Sequence, residues 1–156
     1  MNKLELIYEE LEREIKNILG ESKTMVLATC ADDRVTARMM SCVFDGIIIK
    51  FQTDMNFIKV KQILKNPNVA LCYNNIQFEG KAEIKGAPLK RGNEEFREKF
   101  KEKFEGSYKR YSEDENEIVV EVEPTLIVLW KYEDGRPLRD YLVVSEKKAY
   151  REFYKS

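Results

Sequence analysis

Apolar and polar residues alternate with period two from Val35 to Phe44 (VTARMMSCVF), and a second β-branched and aromatic run, IIIKFQT, follows across Asp45-Gly46. That pattern predicts a strand, a two-residue hairpin turn and a second strand. After Thr53 the period lengthens. Phe57, Val60, Ile63 and Leu64 are spaced for one face of a helix, with Asn56 as its expected N-cap and Asn66-Pro67 as its stop.

The same reading extends to the rest of the chain. Residues 3–19 place Leu4, Ile7, Leu11, Ile15 and Ile18 on one stripe, predicting an amphipathic helix closed by Gly20. TMVLATCA (24–31) reads as a strand turning at Asp32-Asp33, and VALCYNN and QFEGKAEIKG as two more. Gly80 inside the latter suggests a bulge or a close backbone approach. Asn93 opens a predicted helix with Phe96, Phe100 and Phe104 on one side and Gly106 at its end. SYKRYSEDENE (107–117) reads as a polar connector. EIVVEVE and LIVLWKYE read as two strands broken by Pro124, and SEKKAYREFYKS as a short amphipathic helix. Six or more short strands with three or four helices predict a mainly β fold, an antiparallel barrel with flanking helices.

Charge adds one anomaly. The first turn of the helix after Thr53 carries Lys59 and Lys61 and no acid. A helix N-terminus is partially positive, so acids are expected there. An anion would relieve the conflict, because backbone N–H groups and a lysine would then face the same phosphate or carboxylate. Arg38, in the preceding hairpin, could add a bidentate cation. The alternative is that both lysines simply point into water.

Composition excludes more than it assigns. At 156 residues, 43% hydrophobic and 35% charged, the chain is expected to form one globular domain over 1–156. A net charge of −1 offers no general attraction to nucleic acid or to an anionic membrane. No apolar run is long enough for a membrane span, and the N-terminus lacks a signal-peptide core, so a cytoplasmic location is expected. Histidine is absent, which removes His-based triads, His-ligated haem and the commonest transition-metal ligand. Cys30, Cys42 and Cys72 form no CxxC and are expected to be buried thiols, so no metal site is predicted.

From ATCADD to GKAEIKG (residues 28–86) the sequence resembles the pyridoxamine 5'-phosphate oxidase-like family of FMN-binding split barrels. The matching features are an A-T strand start, Arg38 in the second strand, F-x-T closing the third, a Lys in the next helix, N-P-x-V-A-L, and G-x-A-E. The resemblance implies an FMN-binding split β-barrel. Arg38, Met39, Met40 and Ser41 would lie along the cofactor, Gln52 and Thr53 at the ring edge, and Lys59 on the phosphate. Asn75 would stand where relatives often carry a Gln. Trp130 would approach the flavin from the neighbouring subunit, which implies a homodimer with sites at its interface. Three departures set the chain apart from the biosynthetic oxidase. Phe57-Ile58 replaces the Ser-Arg of the phosphate turn, Val43 replaces a Lys that closes the Arg-containing strand, and Arg136-Pro137-Leu138-Arg139-Asp140 replaces the substrate-gripping R-x-H-D-R. The chain is thus closer to the shorter general-stress-protein branch. The expected activity is that of a flavin oxidoreductase with a substrate other than pyridoxine phosphate; a non-catalytic flavin- or phosphate-ligand module is the alternative.

Overall fold

A computed structural model describes residues 3–154. The elements run β1 (Lys3–Leu6), α1 (Tyr8–Leu19), β2 (Ser22–Ala31), β3 (Arg34–Asp45), β4 (Ile48–Asp54), α2 (Ile58–Lys65), β5 (Asn68–Tyr73), β6 (Ile76–Ile84), α3 (Glu94–Lys103), α4 (Glu105–Tyr111), β7 (Glu117–Glu133), β8 (Arg136–Val143) and β9 (Lys148–Phe153). Six antiparallel strands close on themselves in the order β7-β4-β3-β2-β5-β6, because β7 pairs with both β4 and β6. From Leu126 onward β7 also pairs with β8, while its β6 pairing runs on to Leu129, and the sheet continues from β8 to β9 and β1.

Alternation explains the barrel interior. Met25, Leu27, Ile49, Phe51, Ile76, Phe78, Val120 and Val122 all point inward and are buried, and Val60 and Ile63 of α2 plug one end. The hairpins use residues suited to left-handed backbone. Asp32 and Asp33 both take positive φ between Ala31 and Arg34, the geometry of a type I′ turn. The next turn falls one residue later than the sequence signal, with Asp45 paired to Ile48 and Gly46-Ile47 between them.

Gly80 marks the expected bulge. The β6–β7 register shifts between Glu79 and Gly80, and a Cβ on Gly80 would sit 2.6 Å from the Glu123 carbonyl oxygen. The neighbouring Pro124 is accommodated at this irregularity, so EIVVEVE and LIVLWKYE form one 17-residue strand instead of two.

Several expectations are corrected. The N-terminal helix begins only at Tyr8; Lys3–Leu6 is a strand on β9, and Leu4 and Ile7 are exposed. The tail forms β9 after a single 3-10 turn at Val144–Glu146, because Ala149 and Arg151 continue the β8 ladder; Lys155 and Ser156 lie outside the described residues. Gly106 does not end the helical region opened by Asn93. The chain kinks at Phe104 and continues as α4 through most of the supposed connector. Phe57, not Asn56, holds the N-cap position of α2, and Phe57 and Leu64 are exposed while Val60 and Ile63 carry the packing. Of the cysteines only Cys42 is buried; Cys30 is half-buried and Cys72 exposed, since both lie on outward faces.

Candidate functional site

Outside the barrel, α3 and α4 fold back over β3, β4 and β7. Phe96 and Phe100 pack on Val43 and Val119, with Phe104 and Tyr108 alongside. Gln52, Asp54, Glu117 and Val119 share that outer face, as the Gln52–Val119 and Asp54–Glu117 register requires. Where α4 stops short of α2, a cleft of about 390 Å³ remains. Met39, Met40 and Ser41 line it from β3, Gln52, Thr53 and Asp54 from β4, and Phe57 and Lys59 from the start of α2. Phe100, Ser107, Tyr111, Asp114 and Glu117 complete the wall.

Lys59 is only 8% exposed, so it does not point into water as a surface lysine would. Its ammonium donates to Thr53 Oγ1 at 2.9 Å and stands over the Phe57 ring. Burial, reinforced by the nearby Arg38 charge, lowers its pKa. Among the described residues, neither Lys59 nor Arg38 has a carboxylate within ion-pair distance.

Arg38 lies beside the cleft, beneath α2. It donates to Thr29 Oγ1 at 2.8 Å, to the Leu27 carbonyl at 3.4 Å and to the Thr36 hydroxyl. Both threonine hydroxyls also donate to Gln62 Oε1, at 2.5 and 2.6 Å, and Gln62 Nε2 donates to the Arg34 carbonyl. This polar layer ties α2 to β2 and β3. With five N–H donors, a guanidinium so held still has capacity for an anion.

Gln52 is fixed at both ends of its amide. Its Nε2 donates to Glu117 Oε2 at 3.0 Å, and its Oε1 accepts from Ser112 Oγ at 2.8 Å. Glu117 is buried. Loss of solvent, then the charges of Asp54 and Asp114, push its pKa up to about 7 against the opposing pull of Gln52 and Lys59.

Asn75 and Trp130 lie elsewhere. They face a second cleft of about 370 Å³ with Cys72, Gln77, Val128 and Arg139. Asn75 Nδ2 donates to the Trp130 carbonyl at 2.6 Å, and the Trp130 N–H returns a bond to the Asn75 carbonyl at 2.9 Å. Arg139 stacks over both Trp130 and Tyr154. Glu117 and Trp130 stand near opposite ends of β7, on the order of 40 Å of strand apart. Within one chain, then, the sequence-predicted residues divide between two clefts. Leu138 and Asp140 are turned away from either, at 0% and 1% exposure.

Sequence reasoning did not find Glu117, Ser112, Asp114 or Tyr111. Tyr111, Ser112 and Asp114 sit in a stretch whose acids look like those of any solvated loop, and only α4 brings them onto the barrel; Glu117 opens β7 and is set beside Asp54 by the β4–β7 ladder.

A closed six-stranded antiparallel barrel with added strands and flanking helices is the architecture of the split-barrel class. The model of the pyridoxamine 5'-phosphate oxidase family matches residues 11–131, and the chain belongs to that family. Among solved structures, General Stress Protein 26 from Bacillus anthracis is 25% identical, with a TM-score of 0.62 over 76% of this chain and 92% of its own. A pyridoxamine 5'-phosphate oxidase-related, FMN-binding protein from Nostoc punctiforme shares the fold at 14% identity and a TM-score of 0.57, covering 96% and 95%. The heme storage protein HutZ from Vibrio cholerae does so at 19% identity and 0.58, covering 73% and 89%. Among curated proteins none matches the sequence.

Proposed function

We propose that the chain binds FMN, with the phosphate toward Lys59 and Arg38, and works as a cytoplasmic flavin oxidoreductase. The observation that carries this reading is the buried Lys59 ammonium, held by one neutral hydroxyl and no carboxylate at the start of a helix. An unpaired buried charge is costly, and a phosphate dianion is the partner that would offset it. The donor set fits the group. Lys59 and Thr53, with Arg38 beside the cleft, suit a phosphate; Met39 and Met40 suit a flat amphipathic ring, and Ser41 and Gln52 suit its polar edge. Bound flavin would supply hydride or electron transfer, which needs no histidine in the protein. The residues of the chain bind and orient it.

Two copies are part of the proposal. Asn75 and Trp130 meet a ligand in the Lys59 cleft only if a second chain presents them, as the family resemblance implies; the assembly is therefore a homodimer with sites at its interface.

A non-catalytic flavin-binding module is the second reading. It is favoured by Leu138 and Asp140, which are buried where the oxidase grips its substrate. Reduction of bound flavin by NADH or NADPH, followed by reoxidation with an added acceptor, separates the two readings.

Titration of FMN and riboflavin against wild type, Arg38→Ala and Lys59→Ala tests the placement. Each loss of a charge-assisted bond should cost about 1.5–3 kcal/mol, roughly ten- to a hundred-fold in Kd, for FMN alone. Equal losses for riboflavin would refute the phosphate assignment.

A further inference from the structure

The amide of Gln52 has one N–H left. Its other N–H is taken by Glu117 and its oxygen by Ser112, itself 1% exposed. The Ser112 hydroxyl could serve either end of the amide, so it is the Glu117 carboxylate, an acceptor only, that sets the orientation: a flip would turn the amide oxygen against it and lose that bond. The remaining N–H is thereby held as a donor in the cleft.

The carboxyl that imposes this orientation sits in unusual company. From β4 it faces Asp54 and Gln52, from the segment before β7 Asp114, from α2 Lys59, and from α4 Tyr111, with Arg38 of β3 behind Lys59. Three carboxylates and one ammonium thus line a cleft proposed to take a phosphate ester. An anion entering it raises the cost of every negative charge on the wall, and Glu117 is the most buried of the three acids.

We infer that Glu117 is the proton-linked positioning residue of this cleft: it fixes Gln52 as a donor to the ligand, and an anionic ligand binds with uptake of one proton on the Glu117 carboxyl. This rests on the FMN reading above. One proton passes from solvent to Glu117 Oε1, while Oε2 keeps the Gln52 N–H; no electrons move. A carboxyl that titrates near pH 7 before the ligand arrives is already poised for that step. The consequence is an FMN affinity that falls about tenfold per pH unit above pH 7, where a phosphate monoester with a second pKa near 6 is already a dianion. Deprotonation of Lys59 would give a slope of the same sign, so the variant must decide which group is responsible.

Calorimetric titration of FMN at pH 7, 8 and 9, in buffers of different ionisation enthalpy, counts the protons. Wild type should take up close to one proton at pH 8. Glu117→Gln should take up none there and bind FMN about ten-fold tighter than wild type at that pH; Glu117→Asp, which keeps a carboxyl, should retain the uptake and guards against a folding defect in the first variant. FMN binding without proton uptake, or undiminished uptake in Glu117→Gln, overturns this inference and leaves the FMN site standing. No FMN binding at any pH overturns both.

Discussion

Lys59 and Thr53 are joined by a 2.9 Å hydrogen bond across the junction of β4 and α2, and this bond is the hinge on which the chemistry of the cleft turns. It places a positive charge where water has little access, with a hydroxyl as its one hydrogen-bond partner among the described residues. Without a ligand, Lys59 is held at a cost to the fold.

Removing that charge should therefore stabilise the ligand-free protein. Its lowered pKa means that the unfolded chain binds more protons than the native one as pH approaches 10.5, so the cost is present at neutral pH and is relieved as pH rises. Lys59→Met, which keeps the apolar stem, should gain about 1 kcal/mol. For a chain of this size that is about 2–4 °C in Tm by scanning calorimetry. A fall in Tm would show that the ammonium is already satisfied.

Glu117 gives a pH dependence of the opposite slope. Its folded pKa of about 7 lies above the ordinary carboxyl value of 4.5, so the native state binds more protons across that window. The contribution is fully present below pH 4.5 and is lost as pH rises through 7. Glu117→Gln should flatten chemical-denaturation stability between pH 5 and 8. At pH 8 it should exceed wild type by about 2 kcal/mol, after allowance for the solvent that reaches the cleft.

Asp140 should behave as a structural anchor. It is 1% exposed and accepts from Lys131 at 2.8 Å and from Arg151 at 2.7 and 2.9 Å, while Lys131 also reaches Glu14 of α1. These partners hold its carboxyl below the usual range despite burial. Asp140→Ala removes the buried carboxylate shared by Lys131 and Arg151, leaving them only their outer partners Glu14 and Glu133, and should cost about 1–3 kcal/mol in denaturant unfolding; Asp140→Asn should cost less.

The same burial predicts a negative result in enzymology. With Leu138 and Asp140 sealed on the inner side of β8, pyridoxine phosphate should turn over very slowly or not at all in the presence of FMN. Rates comparable to those of a dedicated oxidase would contradict this.

Gly80→Ala tests the bulge. The added methyl would stand 2.6 Å from the Glu123 carbonyl and 2.9 Å from Val122 Cγ1. Moving two strands apart at that point should cost about 1–3 kcal/mol, read as a lower denaturation midpoint.

How far the sequence carried these conclusions depends on the element. The β3–β4 hairpin and α2 were legible because period two and period 3.6 follow each other without ambiguity, and the barrel follows from them. Strand β9 was not. In KKAYREF, apolar Ala149 and Phe153 are four apart, as on a helix, and only the ladder with β8 and β1 decides for a strand. Pro124 looked like a breaker because its accommodation depends on a bulge in a strand some forty residues earlier. In the cleft, Met39 to Ser41, Gln52, Thr53 and Lys59 come together through local hairpin and helix geometry. Ser112 and Glu117 join them through the long β6–β7 excursion, which no local pattern encodes. The separation of Asn75 and Trp130 from that cleft is equally a matter of topology, set by the length of β7.

That length has a consequence for synthesis on the ribosome. A nascent chain ending before Glu117 carries β2 to β6 with the rims of both β4 and β6 unpaired, since β7 is the strand that satisfies each of them. Until residues 117–133 leave the exit tunnel, the growing polypeptide is an open curl with two adhesive borders, the state most prone to pairing with a neighbour on the same message. Closure is then a late event, and translational pausing downstream of Glu133 would favour it over tangling.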